Sequence, residues 1–234
     1  MADSRLKGKP LLEINNVPII CHVLNKAKET GLEAIVATED KEIVTAIEQN
    51  GGGEVIFTGN HKTGTDRIFE AFQKLKTKDV DYVLNLQGDE PMIDPKDIIN
   101  LNNLMIKNNS EIGTLASVIK EKTILNNENV VKVITKEKLE KNIFTKAINF
   151  SRKNLPKQNY NIYHHIGIYA YKVSVLEKFI NLNQTKNEIE NHLEQLRALD
   201  NNITIMVALA KSSPIGVDTK EDFLAIKKIM EYKT

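Results

Sequence analysis

Along the first hundred residues, short apolar runs alternate with stretches in which apolar positions recur every three or four residues, a pattern that predicts strands interleaved with helices. Residues 32–38 read as a buried strand and 54–57 as a further strand. Helices are expected over 18–30, with Gly31 as its stop, over 42–49, and over 65–75, where Ile68, Phe69, Phe72 and Leu75 share one face. A further strand leads into Gln87-Gly-Asp-Glu-Pro91, and a helix follows over 95–107. Such alternation predicts parallel strands joined by right-handed crossovers.

From residue 111 the texture changes. Strands are expected over 112–119, 130–135 and 145–150 with few helices between them, which suggests antiparallel additions. Residues 162–171 and 203–209 read as further strands, and 173–181 and 188–199 as helices. A last helix, 221–232, carries Phe223, Leu224, Ile226, Ile229 and Met230 at helical spacing. The polar stretch 152–161, with Pro156, is the best candidate for a loop or lid. No internal repeat or long linker is visible. The 234 residues therefore suit one α/β domain spanning 1–234, with an antiparallel subregion at about 111–200.

Composition narrows the function classes. The 32 basic and 31 acidic side chains nearly cancel, leaving no broad basic field for nucleic acid or an anionic membrane, so any polyanion must be bound locally. A single cysteine, Cys21, excludes an internal disulfide framework and is expected to pack among Ile19, Ile20 and Val23. No apolar run approaches the roughly twenty residues of a membrane span and no signal peptide opens the chain, so a cytoplasmic protein without a membrane partner is expected.

Four segments carry candidate chemistry. The run Asp81-Tyr-Val-Leu-Asn-Leu-Gln-Gly-Asp-Glu-Pro91 is a strand that stops at a carboxylate, with Gly88 allowing close backbone approach and Asp89 offering hard oxygen; a solvated strand exit is the plainer alternative. Asp218 precedes a helix that Thr219 and Asp222 could cap reciprocally, and two distant acids would suit a cation bridging a nucleotide triphosphate. Arg5 and Lys9, around Gly8, suit a polyphosphate, although a solvated tail has the same composition. His61-Lys-Thr-Gly-Thr-Asp-Arg67 lies between a strand and a helix, where Thr63 either caps or reaches a nucleotide. His164 and His165 point to opposite faces of a strand, so only one can enter a pocket.

Taken in order, Ser4-Arg-Leu-Lys-Gly-Lys-Pro-Leu11, His61 to Arg67, Gln87 to Pro91, Phe150-Ser-Arg152, His165-Ile-Gly-Ile-Tyr169, Leu193-Glu-Gln-Leu-Arg197 and Gly216-Val-Asp-Thr219 resemble the 3-deoxy-manno-octulosonate (Kdo) cytidylyltransferases. The resemblance implies a Rossmann-like nucleotidyltransferase fold: a mixed, mainly parallel sheet flanked by helices, with an antiparallel sugar-binding and dimerisation extension. It implies transfer of CMP from CTP to Kdo with release of pyrophosphate, for lipopolysaccharide assembly, by a Mg²⁺-dependent homodimer. Lys9, Asp89 and Asp218 would be catalytic, with the two aspartates holding Mg²⁺. Arg5, Lys9, Thr63, Gly64 and Gln87 would bind the nucleotide, and Arg152, His165, Tyr169, Glu194 and Gln195 the sugar.

Three departures from the family pattern stand out. Family members open with a hydrophobic strand and Pro-Ala-Arg, whereas this chain begins Met1-Ala-Asp-Ser-Arg5, so the first strand and part of the cytidine loop are expected to be missing and activity impaired. Thr63 replaces a more usual serine, and Asn191 stands where an acid is common. A cytidylyltransferase for sialic acid or an amino-substituted octulosonate, or an inactive nucleotide- or sugar-binding module, are the alternatives. The absence of Gly-x-Gly-x-x-Gly after a strand disfavours a nicotinamide oxidoreductase.

Overall fold

Asn15 and Asn16 both hold left-handed backbone angles, φ 52° and 60°, and turn the chain between two short antiparallel strands, β1 (Glu13–Ile14) and β2 (Val17–Pro18). Paired positive φ is what a two-residue hairpin of the type I′ kind demands, and asparagine tolerates it. Neither strand was legible in the apolar pattern, because two residues are too few to show a period. The computed structural model describes residues 6, 8–75, 79–153, 159–214 and 216–232. After the hairpin come α1 (Ile19–Lys28), β3 (Ile35–Thr38), α2 (Lys41–Gln49), β4 (Glu54–Phe57), α3 (Gly64–Lys74), β5 (Tyr82–Asn85) and α4 (Pro95–Asn108). The chain continues through β6 (Ile112–Ser117), α5 (Lys122–Asn126), β7 (Lys132–Thr135), β8 (Phe144–Ser151), β9 (Asn161–Lys172), α6 (Val173–Ile180), α7 (Lys186–Asn191), α8 (Gln195–Asp200), β10 (Ile205–Leu209) and α9 (Lys220–Glu231).

These elements form two compact units. The first comprises Met1–Lys76, Leu86–Ile98 and Pro214–Thr234. Its strands β3 and β4 pair in parallel, as alternation with helices predicts. Ile20, Cys21 and Leu24 of α1 pack with Val36 and Ile47 in one core. Ile19 and Val23, on the next face of α1, join Ile14, Val217 and Ile226 in another, with Phe223 and Met230 of α9 against them. Cys21 is buried as expected, and burial raises its thiol pKa.

The second unit, Thr77–Asn85 and Ile99–Ser213, holds a six-stranded sheet in the order β5-β9-β6-β10-β8-β7. β6 is buried at every position and pairs in parallel with β10. The twelve-residue β9 is long enough to serve three neighbours, meeting β7 near its start and β6 and β5 further on, all antiparallel. The sheet is mixed, but antiparallel pairings outweigh parallel ones among the described strands, because β9 enters between β5 and β6 against both.

One helix is corrected. The span 188–199 is two helices, interrupted where His192 takes φ 53° as the left-handed cap of α7 and Leu193 N–H bonds back to the Glu188 carbonyl at 3.3 Å. No glycine or proline signals this break. The short helix α5 was likewise hidden in the polar stretch between two strands.

Candidate active site

In the first unit, three loops converge. Gly8 takes φ 68°, a conformation that favours glycine, and starts the short 3-10 turn Lys9–Leu11. Leu12 packs into the core beside Ile14, which fixes where Lys9 projects. Lys9 Nζ donates to Asp89 Oδ2 at 2.8 Å and to Asp218 Oδ1 at 3.0 Å. The backbone is stapled around this contact: Val217 N–H donates to the Asp89 carbonyl at 2.9 Å, and Leu6 N–H to the Asp218 carbonyl at 3.3 Å. Val217 is wholly buried whereas the Asp218 side chain is 74% exposed, so a core residue anchors a solvent-facing carboxylate.

Burial alone would lower the Lys9 pKa, but bonding and attraction to Asp89, then to Asp218, outweigh it and hold the pKa above its ordinary value. Lys9 is therefore a firm cation between two acids. Two carboxylate oxygens that reach one ammonium could also reach one divalent ion. Among the described residues no group of three or more His, Cys, Asp or Glu side chains gathers in a way that could hold a metal.

Gln87 accepts a turn hydrogen bond from Glu90 N–H at 3.4 Å, bending the segment that carries Asp89. Gly88 has a structural reason in this turn: a Cβ there would lie 2.9 Å from Ile20 Cδ1 of α1. Arg5 falls outside the described residues. Thr63 is the N-cap of α3, its hydroxyl accepting from Asp66 N–H at 3.1 Å, and Gly64 is the exposed first residue of that helix. Glu70, on the same helix, ties the preceding loop down: it accepts from Gly59 N–H at 2.9 Å, pairs with Lys74 at 2.5 Å and bonds His61 Nε2. The bonds from Lys74, His61 and Gly59 lower its pKa to about 2.

The second unit holds the residues expected to meet a sugar. His165 lies on β9 and is buried, its ring edge-on to Phe150 at 5.2 Å and 5.4 Å from Tyr169. Its Nε2 is 2.9 Å from Thr114 Oγ1, whose own proton points to the Ile168 carbonyl at 2.7 Å. Thr114 then accepts from His165, which places the imidazole proton on Nε2. Burial first, then the neighbouring His164, lowers the His165 pKa to about 3. The Tyr169 hydroxyl is buried without a hydrogen-bond partner among the described residues, and burial, Tyr171 and Glu194 raise its pKa well above normal. Glu194 precedes α8, which Gln195 begins, and lies 3.6 Å from Arg197 Nη2. Arg152 Nη1 donates to the Asn129 carbonyl at 2.9 Å. Asn191 bonds within its own helix, to the Asn187 carbonyl at 2.9 Å.

Three features escaped sequence reasoning. The buried Glu188–Arg197 pair spans the helix break, so no fixed helical spacing marks it. His164, on the face opposite His165, bonds Ser213 at 2.8 Å. Lys132, 1% exposed, had only its apolar neighbours in the strand as a signal.

Residues 1–205 match the cytidylyltransferase family. The 3-deoxy-manno-octulosonate cytidylyltransferase of Bartonella tribocorum is 38% identical over 232 residues, covering 98% of this chain and 95% of that protein. Its counterpart from Agrobacterium fabrum is 39% identical over 236 residues, covering 100% and 93%. A solved structure of CMP:2-keto-3-deoxy-manno-octonic acid synthetase complexed with CTP aligns with a TM-score of 0.87 at 33% identity, covering 100% of this chain and 95% of that one.

Proposed function

The chain belongs to the 3-deoxy-manno-octulosonate cytidylyltransferase family, and from that membership we propose that it transfers CMP from CTP to Kdo, releasing pyrophosphate, for lipopolysaccharide assembly. The anomeric hydroxyl oxygen of the ketose bonds to the α-phosphorus, the bond from that phosphorus to the bridging oxygen breaks, and pyrophosphate leaves with the electron pair while the hydroxyl proton is lost. The observation that carries the reading is Lys9 spanning Asp89 and Asp218 at 2.8 and 3.0 Å.

All the reactants are anions, so the protein's task is to hold them together and offset their charge. Lys9, with Arg5, supplies point and forked cations for the triphosphate. Asp89 and Asp218 would hold Mg²⁺; their hard oxygens suit that ion, which commonly takes one or two carboxylates and completes its shell with phosphate and water. When bound it would neutralise phosphate charge. Thr63 and Gly64, at the N-terminus of α3, and Gln87 are assigned to the nucleotide; Arg152, His165, Tyr169, Glu194 and Gln195 to the acidic sugar. An imidazole that stays neutral, its Nε2–H given to Thr114 so that Nδ1 is the acceptor, and a tyrosine hydroxyl that stays protonated suit hydroxyl recognition rather than proton transfer. Among the described residues no helix is long and apolar enough to cross a membrane. The reading extends to a cytoplasmic homodimer, on the strength of the resemblance and the lone buried thiol.

Pyrophosphate release should be measured with CTP and, separately, Kdo, its 8-amino analogue and sialic acid, first in magnesium and then in chelator. Release with Kdo that chelator abolishes is the expected result; release with none of the three sugars would overturn the reading.

A further inference from the structure

Lys132 on β7 is 1% exposed, yet among the described residues its ammonium donates only to backbone carbonyls, those of Asn127 at 2.6 Å and Arg152 at 2.5 Å. Among the described residues neither Lys132 nor Arg152 has an ion-pair partner; burial first, then the Arg152 charge, lowers the Lys132 pKa, against attraction from Glu128. A buried lysine is ordinarily paired with an acid, because an uncompensated charge out of water is costly. Here two cations are held close together instead. Beyond the one bond from Nη1 to Asn129, the remaining guanidinium donors of Arg152 have no partner among the described residues. Lys132 fixes the backbone of Arg152 from behind, and Arg152 braces the 127–129 segment in return.

We propose that Lys132 is a positioning residue for the acidic substrate: it fixes Arg152 and supplies buried positive charge that makes this face select a ligand carboxylate over a neutral group. The inference rests on the cytidylyltransferase reading and deepens it by naming what makes an acid, rather than a neutral sugar, the acceptor. The positive field also reaches His164, the register partner of Lys132 on β9, whose pKa is lowered by burial and then by Lys132. Ser213, within 2.8 Å of His164, and Ser117, within 2.9 Å of Ser213, add hydroxyls to this neighbourhood.

The test is calorimetric binding of Kdo and of its carboxamide to the full chain and to the variants K132M and K132Q; glutamine keeps amide donors for the carbonyls while removing the charge. Both variants should weaken Kdo binding about tenfold, the equivalent of one pKa unit of interaction, while leaving the carboxamide and CTP unaffected. The NMR titration midpoint of His164 should rise in K132Q. Equal losses for acid and carboxamide, an unmoved His164, or no Kdo binding by the wild type would overturn the inference. Wild-type pyrophosphate release from CTP and Kdo judges the cytidylyltransferase reading separately.

Discussion

Glu188 and Arg197 meet as a forked, buried pair, with Nε 2.8 Å from Oε2, Nη2 2.5 Å from Oε1, and both side chains 5% exposed. The guanidinium also lies 4.8 Å from the centre of the Phe179 ring. Burial pushes the Glu188 pKa up, but the bonds from Arg197, Gln184 and Thr185 prevail and lower it. The pair locks α7 to α8 across the break at His192, and thereby sets where Glu194 and Gln195 sit.

Removing one partner leaves the other charged and buried. Arg197→Ala should cost about 3–5 kcal/mol in urea unfolding, the scale of a broken buried pair. Replacing both residues by methionine should recover most of that loss, since an apolar pair of similar volume has no charge to desolvate. A double variant as unstable as Arg197→Ala would show that packing, not the stranded carboxylate, sets the cost.

His165 links stability to pH. Its folded pKa of about 3 lies below the ordinary histidine value near 6.5, so the unfolded chain binds a proton that the folded chain refuses. The neutral buried form contributes stability that is fully present above about pH 6.5 and is lost as pH falls from there towards 3, by up to about 1.4 kcal/mol per pH unit. Denaturation midpoints measured across that window should decline, and more shallowly in His165→Gln, which keeps a donor towards Thr114. Parallel slopes would locate the acid sensitivity elsewhere.

The elements that were legible are those with enough residues to show a period. Of the apolar face expected on α3, Phe72 is buried while Ile68, Phe69 and Leu75 are half-buried, and β4 covers the four positions that the sequence assigns to it. The aspartates were legible as punctuation, each sitting where a strand or loop stops one or two residues after a glycine. Their convergence was not, because it depends on backbone bonds from Val217 and Leu6 that no local pattern records. Leu224, counted into the apolar face of α9, is 54% exposed, since that face centres on Ile226 and the flanking turn looks outward. The antiparallel weight of the second unit was legible only as missing helices; that β9 reaches three neighbours follows from its length.

Thr219 and Asp222 form the reciprocal cap that the sequence suggests: Thr219 Oγ1 accepts from Asp222 N–H at 3.1 Å and Asp222 Oδ2 from Thr219 N–H at 2.8 Å. Thr219→Ala should cost about 1 kcal/mol, and Thr219→Ser should restore most of it. Asp218 is the residue before the cap, so the same substitution should also raise the magnesium needed for half-maximal turnover. A stability loss with an unchanged magnesium requirement would separate the cap from the carboxylate beside it.

The acids themselves give the sharpest contrast between stability and turnover. Lys9–Asp218 is an open pair, with the aspartate side chain 74% exposed, and such pairs contribute about 0–1 kcal/mol. Asp218→Asn should therefore leave the urea midpoint nearly unmoved. Asp89, with a side chain 27% exposed and its backbone carbonyl held by Val217, should lose slightly more. Turnover should behave differently under the proposed reading, in which both carboxylates hold a cation that offsets charge on the reacting phosphates: each substitution should lower kcat at least about a hundredfold. The double variant should fall little further than either single one, since two ligands of one ion act as a unit. Multiplicative losses in the double variant would mean that Asp89 and Asp218 act independently, and the shared-cation reading would then fail even though each residue matters.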